Sequence, residues 1–401
     1  MVNARTKRKK HLELLRSSKT PVKKSEISNK RHLMRLVTRL AVAGCAIVLF
    51  IIFGIPYLYD VTNGVDPSLR YAPKVETKFN ITEDPEAAQG APELRSEEIA
   101  VEGADYNTKN DPYMDGDNII FSTDTDRTNG LFLNTVVIYN TTDKKARELP
   151  NVEKKYDNIL ETKLSRNIAV WADSMVDGGG RICGYDLTSN QMFVIKEYAY
   201  AVPELSVSGD YLAFMQVAGE ETQRLYLYNL KTRENVTVRL YDSKDVSCGN
   251  VDVSGSDLVW SEYSTGNLAQ VQRLLLNASG GDYANPDFGS SAYDPKTNGR
   301  DIVFSTNKIS EQGDLMLSTD GGVPVKIAEG AVLYDIGDDY VSYMKDQKIY
   351  VYGIDNSMQT KELTSEATRG ILASVNQNNV CFYDTTDMAG TIEVVRYIHL
   401  R

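Results

Sequence analysis

One pattern of apolar and polar positions recurs every 39 to 50 residues from about residue 113 onward. Each repeat opens with a turn signal, often a Gly or Asn pair, and a short β-branched run, which together are typical of a hairpin. A variable polar loop, a second apolar run, a turn and a weaker run follow. The first apolar run of each repeat closes on an aromatic residue: Phe121, Trp171, Phe214, Trp260, Phe304, Tyr343 and Phe382. The pattern predicts about four short strands per repeat, seven times over.

This repeat predicts an all-β fold. A unit of four short strands cannot bury its faces alone, so neighbouring units must stack, and stacking around an axis produces a β-propeller. We therefore expect a β-propeller domain over residues 113–401, with seven blades and with six or eight as alternatives. A two-sheet sandwich is the rival all-β architecture, but seven similar units argue against it.

The last repeat lacks a fourth strand in the sequence. It begins near Ile371 and supplies the runs ILASV, NVCFYD and TIEVVRYIHL before Arg401. An unpaired strand edge would leave a row of backbone donors and acceptors exposed. The strand-like stretch upstream is EEIAVEG, where Ile99 and Val101 alternate with Ala100 and acidic neighbours. We predict that this stretch crosses over, completes the last blade and closes the ring.

Two of the repeats carry a family resemblance. The segments DLMLSTDGGVPVKIAEG and IYVYGIDNSMQTKELTS resemble the TolB-like, WD-repeat-like propeller repeats of bacterial envelope proteins. In those repeats a strand leads into a polar turn, and the next strand closes on a pair such as Leu-Thr. The resemblance covers residues 113–400 and implies a propeller in an extracytoplasmic setting. TolB itself has a periplasmic amino-terminal domain that this chain does not match, so its partner residues are not carried over.

Charge is divided unevenly along the chain. Residues 1–39 hold 13 Lys and Arg but only the acids Glu13 and Glu26, and residues 40–59 carry no charge. As a helix at about 1.5 Å per residue, the uncharged stretch would span roughly 30 Å, the hydrocarbon thickness of a bilayer. Basic flanks stay in the cytoplasm. The pattern predicts a single-pass transmembrane helix, a signal anchor in a bacterial cell membrane, with a basic cytoplasmic tail and an extracellular C-terminal domain.

Other interpretations of the apolar segment are a buried core helix, a cleaved signal peptide and a lipoprotein signal. The stretch Val42-Ala43-Gly44-Cys45 resembles a lipobox, but most of the apolar residues follow the cysteine. Residues 60–112 are acidic and contain several prolines, which favours an extended linker. We interpret the basic tail as a topology determinant, with anionic lipid as the alternative partner. It has no interleaved aromatic residues, which argues against nucleic acid.

Composition excludes most of the usual catalytic chemistry. The three histidines are His11 and His32 in the tail and His399 near the C-terminus. A Ser-His-Asp or Cys-His arrangement needs an imidazole as base, and zinc sites usually need histidine or clustered cysteine. The chain has no G-x-S-x-G elbow and no G-x-x-x-x-G-K-[ST] phosphate loop. We therefore name no catalytic, cofactor-binding or metal-binding residues and expect no cofactor.

Two loop patterns resemble known sites only in part. DTDRTNG, with Asp124, Asp126, Asn129 and Gly130, resembles a calcium loop, but its glycine is one place late for an EF-hand and no Glu closes it. STDGGVPV, from Ser318, partly matches the Asp-box of sialidase-type propellers but lacks the aromatic at its end. Both are explained more simply as turns between strands.

Tyrosine and cysteine fall at repeated apolar positions. Four tyrosines occupy equivalent places, which indicates either an amphipathic core position or an exposed contact for sugar or protein; they are Tyr139, Tyr185, Tyr228 and Tyr352. The three cysteines outside the apolar segment are an odd number, so they cannot form a closed disulfide set. We interpret Cys183, Cys248 and Cys381 as packed thiols on strands.

These observations lead to one functional expectation and two alternatives. We expect a non-catalytic binding or scaffolding propeller that engages an envelope protein or a wall glycan. The first alternative is a carboxylate-based, glycan-acting enzyme, since paired Asp and Glu need no histidine. Carboxylates facing one another at one mouth of the central channel would distinguish it. The second alternative is a transmembrane signalling or sensor protein.

Overall fold

The computed structural model describes residues 96–99, 108–125, 132–219, 222–242, 246–264, 268–276, 281–308, 313–354, 360–363, 370–384 and 394–400. By its contacts the chain divides into two units, Met1–Gly90 and Ala91–Arg401, and every described residue belongs to the second. The strands of the described ranges form seven four-stranded antiparallel sheets. The inner strand of each sheet contacts the inner strand of the next around a closed ring. The predicted all-β, seven-bladed propeller is therefore confirmed.

The blades follow one another along the chain, each from its inner to its outer strand. Blades 1 to 4 consist of β2 (Asn110–Asp115), β3 (Asn118–Thr123), β4 (Thr135–Asn140) and β5 (Lys145–Glu148); β6 (Asn158–Ser165), β7 (Ile168–Ser174), β8 (Gly180–Asp186) and β9 (Gln191–Tyr198); β10 (Leu205–Ser208), β11 (Tyr211–Val217), β12 (Thr222–Asn229) and β13 (Asn235–Asp242); and β14 (Val246–Ser254), β15 (Asp257–Ser264), β16 (Gln270–Leu275) and β17 (Asp282–Tyr283).

Blades 5 to 7 repeat this arrangement, except that the last blade takes its outer strand from upstream. They consist of β18 (Tyr293–Thr297), β19 (Ile302–Ser305), β20 (Gly313–Ser318) and β21 (Val325–Ala331); β22 (Leu333–Ile336), β23 (Tyr340–Lys345), β24 (Lys348–Gly353) and β25 (Thr360–Glu362); and β26 (Gly370–Asn376), β27 (Asn379–Asp384), β28 (Val394–His399) and β1 (Glu97–Glu98).

The aromatic residue of each repeat lies on the second strand of its blade and is buried. All seven aromatics have side chains at most 4% exposed. They belong to apolar clusters that join neighbouring blades; Trp171, for example, lies in a cluster with residues of blades 1 and 3. Burying a side chain of this size contributes about 2 to 3 kcal/mol. The repeated aromatic seen in the sequence is thus the residue that packs each blade against its neighbours.

Strand β1 closes the ring as the sequence predicts. Glu97 pairs with Tyr397 and Glu98 with Arg396, and the Ile99 amide donates to the Val395 carbonyl at 2.9 Å. The Ile99 side chain is 1% exposed and lies in a cluster that joins blades 1 and 7. The predicted crossover is therefore confirmed.

The observed boundaries differ in detail from the predicted domain limits. The sheet of blade 1 begins at Asn110, a few residues before 113, because Asn110 already pairs with Ser122. The predicted transmembrane helix (40–59), the basic tail (1–39) and most of the linker lie outside the described residues. Among the described residues there is no helix long and apolar enough to cross a bilayer.

Candidate functional site

The inner strands of the seven blades surround a central channel. Its cavity has a volume of about 590 Å³ and is lined by residues from every blade. The turns between the first and second strands of the blades lie at one end, which we call the mouth. From the mouth the lining follows the inner strands inward to Glu204 and Asp294, which lie near the starts of β10 and β18.

A belt of hydrogen bonds links each blade to the next around the mouth. These bonds use turn and strand-end groups, so they fix the spacing of the blades. In order around the ring they are Arg166 N to Asp115 Oδ2 (2.9 Å), Ser165 Oγ to Gly209 O (3.0 Å), Gly255 N to Ser208 Oγ (2.9 Å), Thr297 N to Asp252 Oδ2 (2.8 Å), Asn298 Nδ2 to Gly337 O (3.1 Å), Asp338 N to Gln377 O (3.0 Å) and Asn376 Nδ2 to Asp115 Oδ1 (3.1 Å).

Three acidic residues of the inner strands are placed by β-bulges. Asp111, Glu161 and Asp294 each lie where the strand register shifts, and each has a positive φ of 47 to 54°. A bulge re-aims a side chain, and a positive φ is unusual for a residue other than glycine. As a result, Asp111 accepts the Glu161 amide at 2.7 Å and Glu161 accepts the Leu205 amide at 3.3 Å, each from the next blade.

The ammonium of Lys296 reaches across the channel. Lys296 lies on blade 5, yet its Nζ is 3.1 Å from Oε1 of Glu204 on blade 3. Its side chain is 18% exposed, and that of Glu204 is 39% exposed and accessible from the cavity. Asp252 on blade 4 and Asp335 on blade 6 act on the same ammonium electrostatically. One cation therefore interacts with carboxylates of three other blades.

Lys296 separates the protonation behaviour of the surrounding carboxyls. Burial raises the pKa of Glu204, but Coulombic attraction and hydrogen bonding by Lys296 outweigh it and leave that pKa below its ordinary value. Burial raises the pKa of Asp335 to about 6, with Lys296 lowering it and Asp252 raising it. Burial also raises the pKa of Asp252, although Lys296 and hydrogen bonds from Thr297 and Ser206 oppose this. Of the three carboxyls around this ammonium, one thus has a lowered pKa and two have raised pKa values.

Lys296 itself is held in its charged form. Burial lowers its pKa, but Glu204, Asp252 and Asp335 together raise it well above the ordinary value. A nucleophilic lysine needs a lowered pKa, so Lys296 serves as a fixed positive charge and not as a Schiff-base lysine. The chemistry that this arrangement permits is proton donation by one carboxyl, proton acceptance by another and stabilisation of developing negative charge by the ammonium.

Of the two loop patterns noted in the sequence, one is a turn in the structure and the other lies mostly outside the described residues. Asp124 is described and buried, whereas the other three residues of the suspected calcium loop lie outside the described ranges. Among the described residues no three His, Cys, Asp or Glu side chains come together as a metal site would require. In the Asp-box-like segment, Ser318 Oγ donates to Gly322 O at 2.7 Å and the Asp320 amide donates to Asp301. It is a turn between β20 and β21, as the repeat predicts.

The repeated tyrosines and the cysteines are core residues. Tyr139, Tyr185, Tyr228 and Tyr352 are at most 5% exposed, so the core interpretation is correct and the exposed-contact alternative is wrong at these four positions. Cys183, Cys248 and Cys381 are free and buried, which confirms their interpretation as packed thiols. Burial raises the pKa of Cys183 and of Cys381 to about 12, so neither is a thiolate nucleophile at neutral pH.

Sequence reasoning missed the channel residues, although one short signal was present. Asp111-Pro112-Tyr113 and Asp294-Pro295-Lys296 share a pattern at equivalent places in blades 1 and 5, and both bulges direct the third residue to the channel. Glu204, Asp252 and Asp335 have no shared motif. They come together only because the ring brings inner strands from distant parts of the chain around one axis.

Comparison by sequence finds no matching family model and no similar curated protein. Comparison by structure finds propellers. The β-propeller domain of the Trilobed protease from Pyrococcus furiosus is 12% identical with a TM-score of 0.53, over 74% of this chain and 94% of that one. That domain has an open velcro topology, whereas β1 closes the ring here. A prolyl endopeptidase is 12% identical with a TM-score of 0.51, over 68% of this chain and 44% of that one.

TolB from Acinetobacter baumannii is also among the similar structures, at 14% identity and a TM-score of 0.41, over 58% of this chain and 60% of that one. The propeller fold that the TolB-like resemblance implies is the fold of the described residues. Identities of this size establish the fold alone. The envelope location that the resemblance implies stays a prediction.

The expectation of a non-catalytic module was wrong, because this fold is also found in enzymes. Similar propellers occur in enzymes, including the prolyl endopeptidase above, an acylaminoacyl peptidase from Pyrococcus horikoshii and an oligogalacturonate lyase from Vibrio parahaemolyticus, the last two with TM-scores of 0.50. The scarcity of histidine had excluded only histidine-based chemistry. The channel is lined by carboxylates of several blades, among them Glu204, Asp252 and Asp335.

Proposed function

We propose that the propeller is a carboxylate-based acid–base enzyme whose substrate is a hydroxyl-rich molecule, such as a sugar unit, held in the central channel. The observation that carries this proposal is the arrangement around Lys296: its ammonium lies 3.1 Å from Glu204 in the channel, and Asp335 of another blade acts on the same ammonium. Burial raises the pKa of Asp335 to about 6, whereas Lys296 holds that of Glu204 below its ordinary value. Two carboxyls with separated pKa values are the usual basis for acid and base roles.

The residues then have distinct roles in hydrolysis of a carbon–oxygen bond. Asp335, when protonated, donates its proton to the leaving oxygen as the bond to carbon breaks. Ionised Glu204 accepts a proton from the water whose oxygen forms the new bond to that carbon. Lys296 stabilises negative charge that develops on oxygen. Both carboxyls regain their starting states by exchanging protons with solvent, and nothing is oxidised or reduced.

The mouth of the channel suits a hydroxyl-rich substrate. Its turns present hydroxyl and amide side chains together with backbone groups, among them Ser165, Ser208, Asn376 and Gln377. Hydroxyl groups of a sugar both donate and accept, so they match such a lining better than an apolar ligand would. That similar propellers belong to enzymes supports a reaction in this fold, and it identifies no substrate.

A turnover assay tests the proposal. The full chain is incubated with a panel of neutral, amino and acidic oligosaccharides, and new reducing ends are measured. We expect Asp335→Asn and Glu204→Gln to lower the rate by about 100-fold or more. Asp346→Asn and Glu234→Gln make the same chemical changes at exposed positions on the same two blades and serve as matched controls. Absence of turnover across the panel, or wild-type rates in the channel variants, would contradict the proposal.

We also propose that this domain is held outside a bacterial cell by the segment 40–59 and the linker that follows it. The division of charge around the uncharged stretch supports this. An outside location would bring a wall polysaccharide within reach of the channel. Protease added to intact protoplasts should remove the C-terminal domain and spare the basic tail. Contact of that tail with anionic lipid stays a prediction. Protection of the domain would contradict the topology.

A further inference from the structure

A second lysine, Lys163, lines the channel, and its ion pair is longer than that of Lys296. Lys163 lies on β6 of blade 2, and its side chain is 18% exposed. Its ammonium is 5.1 Å from the centroid of the Tyr113 ring, which fixes its direction. The carboxylate with which it forms an ion pair, Glu161, lies 3.9 Å away, beyond hydrogen-bonding distance.

Two carboxylates attract Lys163, namely Glu161 and Glu204, and both have other partners. Glu161 accepts the backbone amide of Leu205 at 3.3 Å, as part of the contact between blades 2 and 3. Burial raises the pKa of Glu161, which weakens its hold on a nearby cation. By contrast, Lys296 and Glu204 are 3.1 Å apart. Of the two channel ammoniums, Lys163 is therefore the one with donors to offer to a ligand.

The carboxylates of the channel are better supplied with partners than Lys163 is. Asp115 accepts from Arg166 N and Asn376 Nδ2, at 2.9 and 3.1 Å. Asp252 accepts from Ser206 Oγ at 2.7 Å and from Thr297 N at 2.8 Å. Asp335 accepts from the amides of Ile336 and Val375, at 2.9 and 3.2 Å. These three carboxylates thus have their own donors and do not need Lys163 as a partner.

Charge is also divided across the ring. Among the described residues that line the cavity, those of blade 2 include two cations, Lys163 and Arg166, and no carboxylate. In a ring of seven, blades 5 and 6 lie opposite blade 2, and their lining residues include Lys296 and three carboxylates, Asp294, Asp335 and Asp338. A molecule that spans the axis would meet positive charge at one end and the acid–base group at the other.

We propose that Lys163 binds a carboxylate of the substrate, so that the substrate class is an acidic sugar: a uronic acid, or an oligosaccharide that contains one. For the reaction, this rests on the function proposed above. For binding, it rests on Lys163 alone. A carboxylate on Lys163 would orient the sugar across the channel with its reacting oxygen toward Asp335.

Calorimetry with the full chain tests binding without any need for turnover. The probes are glucuronate and glucose, which differ in one carboxylate. We expect wild type to bind glucuronate about 10- to 100-fold more tightly than glucose, as a hydrogen bond to a charged group implies. Lys163→Met should abolish this preference, and Lys163→Arg should retain most of it. Added salt should weaken the binding of glucuronate only.

Lys326→Met is the matched control, because Lys326 is an exposed lysine on the outer strand β21. It should leave the preference unchanged, and Lys163→Met should melt within a few degrees of wild type. Equal binding of the two sugars by wild type, or an unchanged preference in Lys163→Met, would overturn the proposal. A preference for glucuronate without turnover would uphold the Lys163 subsite and contradict the proposed reaction. Turnover of neutral sugars that Lys163→Met leaves unchanged would uphold the reaction and contradict the subsite.

Discussion

Lys296 and Glu204 form an ion pair across the central channel, with 3.1 Å between Nζ and Oε1, although they lie on blades 5 and 3. The pair passes over blade 4, whose Asp252 acts on the same ammonium. It therefore links three consecutive blades at the axis, where blades otherwise meet through their inner strands. The same ammonium lowers the pKa values of Glu204 and Asp335, so the stability of the ring and the chemistry of the channel depend on one side chain.

Replacing Lys296 by Met should destabilise the propeller. The change leaves several carboxylates in the channel without their common cation. We expect the free energy of unfolding to fall by about 2 to 4 kcal/mol, somewhat less than for a fully buried pair because Glu204 is partly exposed. Urea unfolding of wild type and Lys296→Met measures this. Lys326→Met, at an exposed position, should change stability by less than about 0.5 kcal/mol; an equal loss in both variants would contradict the role of Lys296.

Replacing Ile99 by Ala should weaken the closure of the ring. Ile99 is 1% exposed and packs between blades 1 and 7, beside a strand of only two residues. Truncation of a buried isoleucine costs about 2 to 4 kcal/mol. The melting temperature should fall by several degrees, and deletion of residues 96–103 should lower it further. Glu98→Ala, at an exposed position of the same strand, is the control; if Ile99→Ala melts like wild type, β1 contributes little to closure.

Replacing Gly337 by Ala should disturb the contact between blades 6 and 7. A Cβ at Gly337 would overlap the backbone oxygen of Gln377, with which the next residue, Asp338, forms a hydrogen bond at 3.0 Å. Because backbone cannot move aside as a flexible side chain can, we expect a loss of about 1 to 3 kcal/mol. Gly219→Ala is the control, since its Cβ would have no neighbour closer than 3.8 Å. Equal stability of the two variants would contradict this, because the contact between blades 6 and 7 would then accommodate a methyl group.

Because the pKa of Asp335 is raised, we predict that the free energy of unfolding falls as the pH rises from about 4 to about 6. The folded protein holds this proton up to about pH 6, whereas the unfolded chain releases it near pH 4. In that range the folded state binds more protons than the unfolded state, so the free energy of unfolding decreases as pH rises. Asp335→Asn should lack this component. The difference in stability between wild type and variant should therefore change with pH in this window and be constant above it; a constant difference throughout would contradict the shift.

The propeller and its closure could be predicted because their signals are local. A turn followed by a β-branched run and an aromatic residue is contained in about ten residues, and it returns seven times. The alternation around Ile99 likewise identified β1, since the last repeat needed a partner for its edge. Each of these inferences used hydrogen bonding or burial within one blade or between its edges.

The channel site could not be predicted in the same way. Glu204, Asp252, Lys296 and Asp335 lie on four different blades, and only the ring geometry places them around one axis. Acidic residues occur in every repeat, so composition could not show which of them face the channel. The three bulges also escaped notice: those at Asp111 and Asp294 share only an Asp-Pro pair, and the one at Glu161 lacks it.

The most direct test of the account is the titration of Glu204 and Asp335 in the full chain, followed by ¹³C NMR of their side-chain carboxyls. Asp335→Asn and Glu204→Gln assign the signals. The account predicts that Glu204 titrates below its ordinary range and Asp335 near pH 6, and that Lys296→Met raises both pKa values. Titration of both carboxyls together near pH 4, unaffected by Lys296→Met, would contradict it.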